Sequence, residues 1–364
     1  RMKHLFVDIS SHGFGHLAQV APILTALRAQ LPALQLTIRC GLPEAKARSL
    51  IPGEFSYLED SSDFGFAMRN AVSIDLAATA ERYQALHATW SERVDAEVHF
   101  LDTQRPDLVL TDVAYLPLAA AARIGLPAMS MCSLNWADLF AHFFGGESWA
   151  APIHAEMLAA YRSAARFLRL TPAMPMLALP NAEAVGPVAS LGTQRGSVLR
   201  ETLRCKENER TVLIAFGGID HDLRVDHWPE TPGIRWLLPQ TWNIARADMT
   251  AFEPLGFSFT DLLASVDAVL TKPGYGTFVE AACNRTAVLY QRRKNWPEQD
   301  CLIEWLKENG RCHEIEASTL AGGHWRNAFE ALWAQPMPPA PLPSGIAQAV
   351  ALLRAGLRAD NQSA

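Results

Sequence analysis

Short apolar runs alternate along this chain with longer stretches of helical periodicity. Leu5 to Ile9 is a compact apolar run that ends in polar Ser10 and Ser11, and it reads as a buried strand. Leu17, Val20, Leu24, Leu27 and Leu31 then recur at helical spacing, and Leu34 to Cys40 reads as a second strand. Residues 74–103 carry the periodicity of one or two amphipathic helices. Asp107 to Thr111 predicts a strand, Pro117 to Ile124 a helix, and Ala128 to Cys132 another strand. This alternation predicts an α/β doubly wound unit built on a parallel sheet.

The middle of the chain changes character. Thr171 to Gly196 carries Pro172, Pro175, Pro180 and Pro187 and reads as a linker. A second alternating unit follows, with strands at Thr211–Phe216, Ile234–Leu238, Ala268–Leu270 and Ala287–Tyr290 and a helix at Thr260–Val266. Residues 336–343 hold five prolines and predict an extended crossing segment. Ser344 then caps a last helix that has Ile346, Val350, Leu353 and Leu357 on one face. The expected division is an N-terminal Rossmann-like domain over 1–175, a second over 176–335, and a segment over 336–364 that returns to the first.

Composition narrows the function classes. At 364 residues the chain is long for one core, and 49% hydrophobic with 19% charged residues describes an ordinary globular protein. A net charge of -6 leaves no basic excess for neutralising phosphates, so no nucleic-acid partner is expected. The six cysteines form no C-x-x-C pair and read as reduced thiols. The first apolar segment does not read as a signal peptide, and no run is long enough to span a bilayer. A cytoplasmic protein with at most peripheral membrane contact is expected.

Candidate chemistry gathers at two places. In the second half, the strand at Ala268–Leu270 runs into Lys272, Gly274, Tyr275, Gly276 and Thr277, which open a helix carrying Glu280. A Gly-rich strand-to-helix turn leaves main-chain N–H groups at a helix N-terminus, where the dipole favours an anion such as a diphosphate. Glu280, one turn on, is placed to accept from a ribose. Glu298 and Gln299, on the loop after the next strand, are placed to hold sugar hydroxyls. Gly217 and Gly218 end another strand of this unit, and Arg292 lies in its one short basic cluster. Together these residues predict a pocket for a nucleotide-sugar.

In the first half, His12, Gly13, Phe14, Gly15 and His16 sit between the first strand and its helix. A loose G-x-G-x-x-A match at Gly13, Gly15 and Ala18 raises a dinucleotide loop, yet Arg39 and Cys40 stand where an acidic ribose ligand is needed. A purely structural turn is a second reading. The third is an active-site loop, in which a histidine at a helix N-terminus stays neutral and serves as general base. Either His12 or His16 can fill that role. Asp112 ends a strand, where ligands bind in open α/β sheets, and can orient the base as in a triad. Asn135 and Trp136 begin an aromatic run through Phe140, Phe143, Phe144 and Trp149, which reads as a core-facing helix, a wall for a second substrate or a membrane-facing patch.

With these residues on the page, the chain resembles the GT-B glycosyltransferases. Gly274 to Glu280 and Glu298-Gln299 look like the donor motif of the UDP-glycosyltransferases, and the chain is also similar to the lipid II N-acetylglucosaminyltransferase. His12–Ala18, Thr111–Val113, Ser133–Asp138, Phe216–Gly218 and Gly274–Ala281 resemble segments of the glycosyltransferase-like N-terminal domain of plant L-arabinokinase. The sequence carries no sugar-kinase segment after them, so phosphorylation is not expected of it. The resemblance implies two Rossmann-like domains facing a cleft. It also implies a metal-independent, inverting transfer from a nucleotide-diphosphate sugar, a UDP-sugar first, to a hydroxyl of a small-molecule or lipid acceptor, with no cofactor. It makes His16 the base and Asp112 its support, Glu280 the ribose ligand, and Glu298 and Gln299 the sugar ligands. One departure matters. The plant His-Cys-Gly-Trp-Asn run is replaced by Lys272-Pro273-Gly274-Tyr275-Gly276, so main-chain N–H groups, Lys272 or Arg292 must take the phosphates. An epimerase or hydrolase on the same fold, or a silent nucleotide-sugar sensor, are the alternatives.

Overall fold

A computed structural model describes residues 2–217 and 223–358. Among these, the chain forms two compact units. The first holds the residues up to Ala67, Ile74–Val188 and the segment from Ser344; the second holds Met68–Ser73 and Ala189–Pro343.

The first unit is built on a seven-stranded parallel sheet. Its strands are β1 (His4–Ile9), β2 (Gln35–Cys40), β3 (Ser56–Leu58), β6 (Leu108–Asp112), β7 (Ala128–Cys132), β8 (Arg166–Leu170) and β9 (Ala182–Val185), in the order β3-β2-β1-β6-β7-β8-β9. Short strands β4 (Met68–Asn70) and β5 (Ser73–Ile74) form a separate two-stranded ribbon. Every residue of β1, β6 and β7 is buried, as expected of strands covered by helices on both faces. Chain order reverses between β1 and β6, so a crevice opens beyond their carboxyl ends.

The second unit repeats the plan with six parallel strands: β10 (Arg210–Ile214), β11 (Ile234–Leu238), β12 (Met249–Ala251), β13 (Ala268–Thr271), β14 (Ala287–Tyr290) and β15 (Cys312–Glu314). Their order is β12-β11-β10-β13-β14-β15, which puts the reversal between β10 and β13. One face is sealed by an indole cluster, with Trp228, Trp236 and Trp325 at ring separations of 4.6 to 5.2 Å. The α/β fold class with two Rossmann-like sheets is therefore the observed one.

Three sequence readings change. The proline-rich stretch from Thr171 is not all linker, because β9 pairs with β8 in parallel from Phe167–Ala182 to Leu170–Val185. The first unit thus runs to Val188 rather than to 175, and 336–343 falls in the second unit. Residues 74–103 form two helices, Leu76–Ala88 and Trp90–Gln104. The last helix, Gly345–Arg358, buries Ala349, Val350, Leu353 and Leu357 and lies against the helix Gly15–Gln30 of the first unit. Arg354 Nη1 donates to Gln30 Oε1 at 2.7 Å, and Gln348 Oε1 accepts from the Gly186 N–H at 2.6 Å.

Candidate functional site

In the first unit the β1–helix turn needs a tight reversal. Gly13 provides it with φ of 77°, a conformation costly for any residue with a Cβ. The helix Gly15–Gln30 starts immediately afterwards, with no side chain capping it, and His16 sits in its first turn. The Ser10 N–H donates to the Asp112 carbonyl at 2.6 Å, which ties this loop to the end of β6. His16 Nδ1 meets Asp112 Oδ1 at 2.9 Å, with the carboxylate fully buried and the imidazole nearly so. Gln19, one turn along the helix, completes the arrangement. Its amide satisfies both neighbours when the NH2 faces Asp112 Oδ2 at 2.7 Å and the oxygen accepts from Ser133 Oγ at 3.1 Å. A buried carboxylate held on two sides in this way fixes the orientation of the imidazole ring. Cys132 Sγ lies 3.6 Å from the same His16 nitrogen. His16, Asp112 and Cys132 offer ligand atoms within 4.8 Å of one another, and among the described residues they are the group that could hold a metal ion.

Trp136 forms the floor. It is fully buried, its ring 5.6 Å from His16 and 5.3 Å from His12. Its indole N–H donates to Asp63 Oδ2 at 2.7 Å. Burial pushes the Asp63 carboxyl up to about 6, and Asp8 adds to the rise. His16 and the hydrogen bond from Trp136 oppose it. Asp63 was missed in the sequence because its loop lies far from both motifs and carries no pattern of its own. Asn135, expected to face an acceptor, caps the helix Trp136–Phe144 instead. Its oxygen accepts from the Asp138 N–H at 2.8 Å and its NH2 donates to Asp138 Oδ2 at 2.9 Å. Phe140 and Phe144 of that helix are core residues. Phe14 is half-buried under Lys46, whose Nζ lies 4.5 Å from the ring centre, while a Cβ on Gly15 would meet nothing within 4 Å.

In the second unit the corresponding crevice lies beyond β10 and β13. Gly217 follows β10 with φ of 72°, and Gly218 lies outside the described residues. Lys272 leaves β13 and turns its ammonium between two glycines. Nζ stands 3.3 Å from where a Gly217 Cβ would be and 3.6 Å from where one on Gly274 would be. Burial, and then Arg293, pull Lys272 down to about 7, against the pull of Glu298. Gly274 is extended, so its value here is room rather than a special φ. It precedes the helix Tyr275–Cys283, which has no side-chain cap and no acidic residue in its first turn. Gly276 and Thr277 in its first turn therefore present main-chain N–H groups that no side-chain cap consumes. Glu280 is buried one turn further on.

The loop after β14 corrects two expectations. Arg292 does not turn to this crevice. It is exposed, with Nε donating to Glu314 at 2.7 Å and Nη1 to Asp300 at 2.8 Å. Its neighbour Arg293 is the buried cation, stacked 3.7 Å from the centre of the Trp296 ring. Gln299 does not present its amide to a sugar. It clasps the Arg293 main chain, Oε1 accepting from the N–H and Nε2 donating to the carbonyl, both at 2.9 Å. Glu298 is buried beside them and accepts from the Trp296 indole at 3.3 Å. Two adjacent arginines in a loop give no local signal of which one is buried.

Comparison with known proteins places the architecture. No family model matches the chain. In structure it is similar to CalG4, the calicheamicin glycosyltransferase, with a TM-score of 0.59 and 14% identity over 99% of this chain and all of that one. It is also similar to a UDP-N-acetylglucosamine 2-epimerase, with a TM-score of 0.54 and 12% identity over 98% of both chains. The fold is that of GT-B glycosyltransferases. In sequence the chain is 24% identical over 350 residues to the L-arabinokinase of Arabidopsis thaliana. That match takes in 90% of this chain and 32% of the plant protein, so the chain spans about a third of the length of its curated relative.

Proposed function

We propose that the protein is an enzyme that transfers a sugar from a nucleotide-diphosphate sugar to an acceptor hydroxyl. The buried His16–Asp112 pair at the β1/β6 crevice carries this reading. With the Nδ1 proton given to Asp112, Nε2 is the basic nitrogen. The acceptor O–H gives its proton to Nε2, and Asp112 stabilises the imidazolium that results. The acceptor oxygen then attacks the anomeric carbon from the face opposite the diphosphate. The bond from the anomeric carbon to the phosphate oxygen breaks, its electron pair leaves on that oxygen with the nucleotide diphosphate, and the configuration inverts. The leaving group's charge falls to the open N-terminus of the helix Tyr275–Cys283 and to Lys272. Glu280 takes the ribose hydroxyls. A UDP-sugar is the donor to test first, and the acceptor class is a small molecule or a lipid. The reaction in this form calls for neither metal nor cofactor. All six cysteines are free, which fits a reducing, cytoplasmic setting. No helix among the described residues is long and apolar enough to cross a membrane.

The test is nucleotide release from UDP-, GDP- and dTDP-sugars, with and without a panel of hydroxyl acceptors. Release that needs an acceptor and disappears in His16→Ala is expected. Release without any acceptor would instead identify the hydrolase or epimerase chemistry known on this fold, and absence of release from every donor would refute an enzyme of this kind.

A further inference from the structure

Among the described residues, the second unit gathers buried basic side chains whose donors are only partly satisfied. Arg293 is 6% exposed, and its Nε and Nη2 have no hydrogen-bond partner. Lys272, 9% exposed, feels Arg293 as a neighbouring like charge. Among the described residues, Glu298 is the carboxylate that acts on both of them, and its Oε1 already accepts from Trp296. A buried guanidinium with two unsatisfied donors, set beside a buried lysine, is an expensive arrangement for a merely structural network. The surrounding chain nevertheless enforces it. Gln299 grips the Arg293 main chain on both sides, the Trp296 ring centre lies 3.7 Å from the guanidinium carbon, and Gly217 and Gly274 keep space beside the Lys272 ammonium.

We infer that Arg293 and Lys272 form a two-cation seat for the diphosphate of the donor, with Arg293 supplying paired N–H donors and Lys272 a point charge. This rests on the donor reading given above. It assigns to Arg293 the role that the sequence suggested for Arg292, and it makes Gln299 a positioning residue for Arg293. A bound anion also restores the ammonium form of Lys272, which burial and Arg293 otherwise hold down to about 7, so binding near neutral pH takes up a proton.

Inorganic pyrophosphate titrated into the whole protein by calorimetry tests the seat apart from catalysis. The unaltered protein should bind it, and Arg293→Met and Lys272→Met should each weaken binding about ten- to a hundredfold, the range of a lost charge-assisted hydrogen bond. Thermal midpoints without ligand should hold or rise in both variants, because each replaces a buried basic side chain by an apolar one of similar length. Should Arg293→Met fail to fold, Lys272→Met carries the test. At pH 7.5, titrations in two buffers of different ionisation heat should show proton uptake that Lys272→Met abolishes. No pyrophosphate binding by the unaltered protein, undiminished binding by both variants, or loss in Arg292→Met instead would overturn the seat. Sugar transfer is read separately. Transfer that persists undiminished in Arg293→Met overturns the seat and leaves the transferase reading intact. Pyrophosphate binding lost in that variant, with no transfer from any donor, does the reverse.

Discussion

His16 and Asp112 stand 96 positions apart in the chain and 2.9 Å apart in the fold. A proton moved at this pair typically supplies 10²–10⁴-fold of rate. His16→Ala should therefore lose transfer by about that factor while nucleotide affinity, measured by calorimetry, is retained. Asp112→Asn should lose less, since the base survives with weaker orientation. The rival is His12, on the same loop 6.5 Å away ring to ring. If His12→Ala is the inactive variant, the base has been assigned to the wrong ring. A second consequence at this scale concerns Lys272 and pH. Its folded value of about 7 lies below its ordinary 10.5. Between those values the unfolded chain binds more protons at this site than the folded one, so this lysine makes stability rise with pH across that window. The stabilisation is complete above the ordinary value and is lost as pH falls through about 7. Urea midpoints at pH 7 and pH 9 should differ less in Lys272→Met than in the parent.

At the scale of single elements, the helix Tyr275–Cys283 is proposed to work through its uncapped start and its buried Glu280. A charge-assisted hydrogen bond in such a place contributes about 1.5–3 kcal/mol. Glu280→Ala should thus weaken nucleotide binding about ten- to a hundredfold, and unchanged affinity would remove the ribose assignment. The turn after β10 depends on Gly217 for a different reason. Its positive φ disfavours a Cβ, and that Cβ would press to 3.3 Å from Lys272 Nζ. Gly217→Ala should cost about 1 kcal/mol or more in chemical denaturation and should weaken pyrophosphate binding as well. The element behind Trp136 behaves unlike either turn. Asn135 is committed to capping, so Asn135→Ala should lower stability by about 0.5–2 kcal/mol with little change in acceptor affinity.

At the scale of the molecule, the chain begins and closes the first unit with distant segments. Gly356 sits where a Cβ would come within 2.8 Å of Met129 Cε and 3.3 Å of Leu108 Cδ2, so the last helix fits closely over the outer layer of that sheet. Leu353 is fully buried on its apolar face. Leu353→Ala should cost about 2–5 kcal/mol, read as a lower urea midpoint with unchanged slope.

The repeating strand–helix pattern was written in the sequence, because buried parallel strands must be continuous apolar runs and their helices must carry one apolar stripe. The turn before His16, the strand end at Asp112 and the strand-to-helix turn from Lys272 to Glu280 were legible as local structure too, since glycines after an apolar run mark where a strand gives way to a helix. What escaped was β8, whose apolar run is broken by Arg166 and Arg169, β9, a short strand hidden among prolines, and β3, β4, β5, β12 and β15, strands of two or three residues too brief to show a period. Asp63 escaped because only the closure of the sheet brings its loop beneath Trp136. Arg292 and Arg293 are adjacent and chemically alike, so no sequence pattern could say which is ion-paired in solvent and which is buried beside Lys272. That choice is made by Gln299 and Trp296, which fix the backbone direction of their loop, and it decides where the second unit keeps its charge.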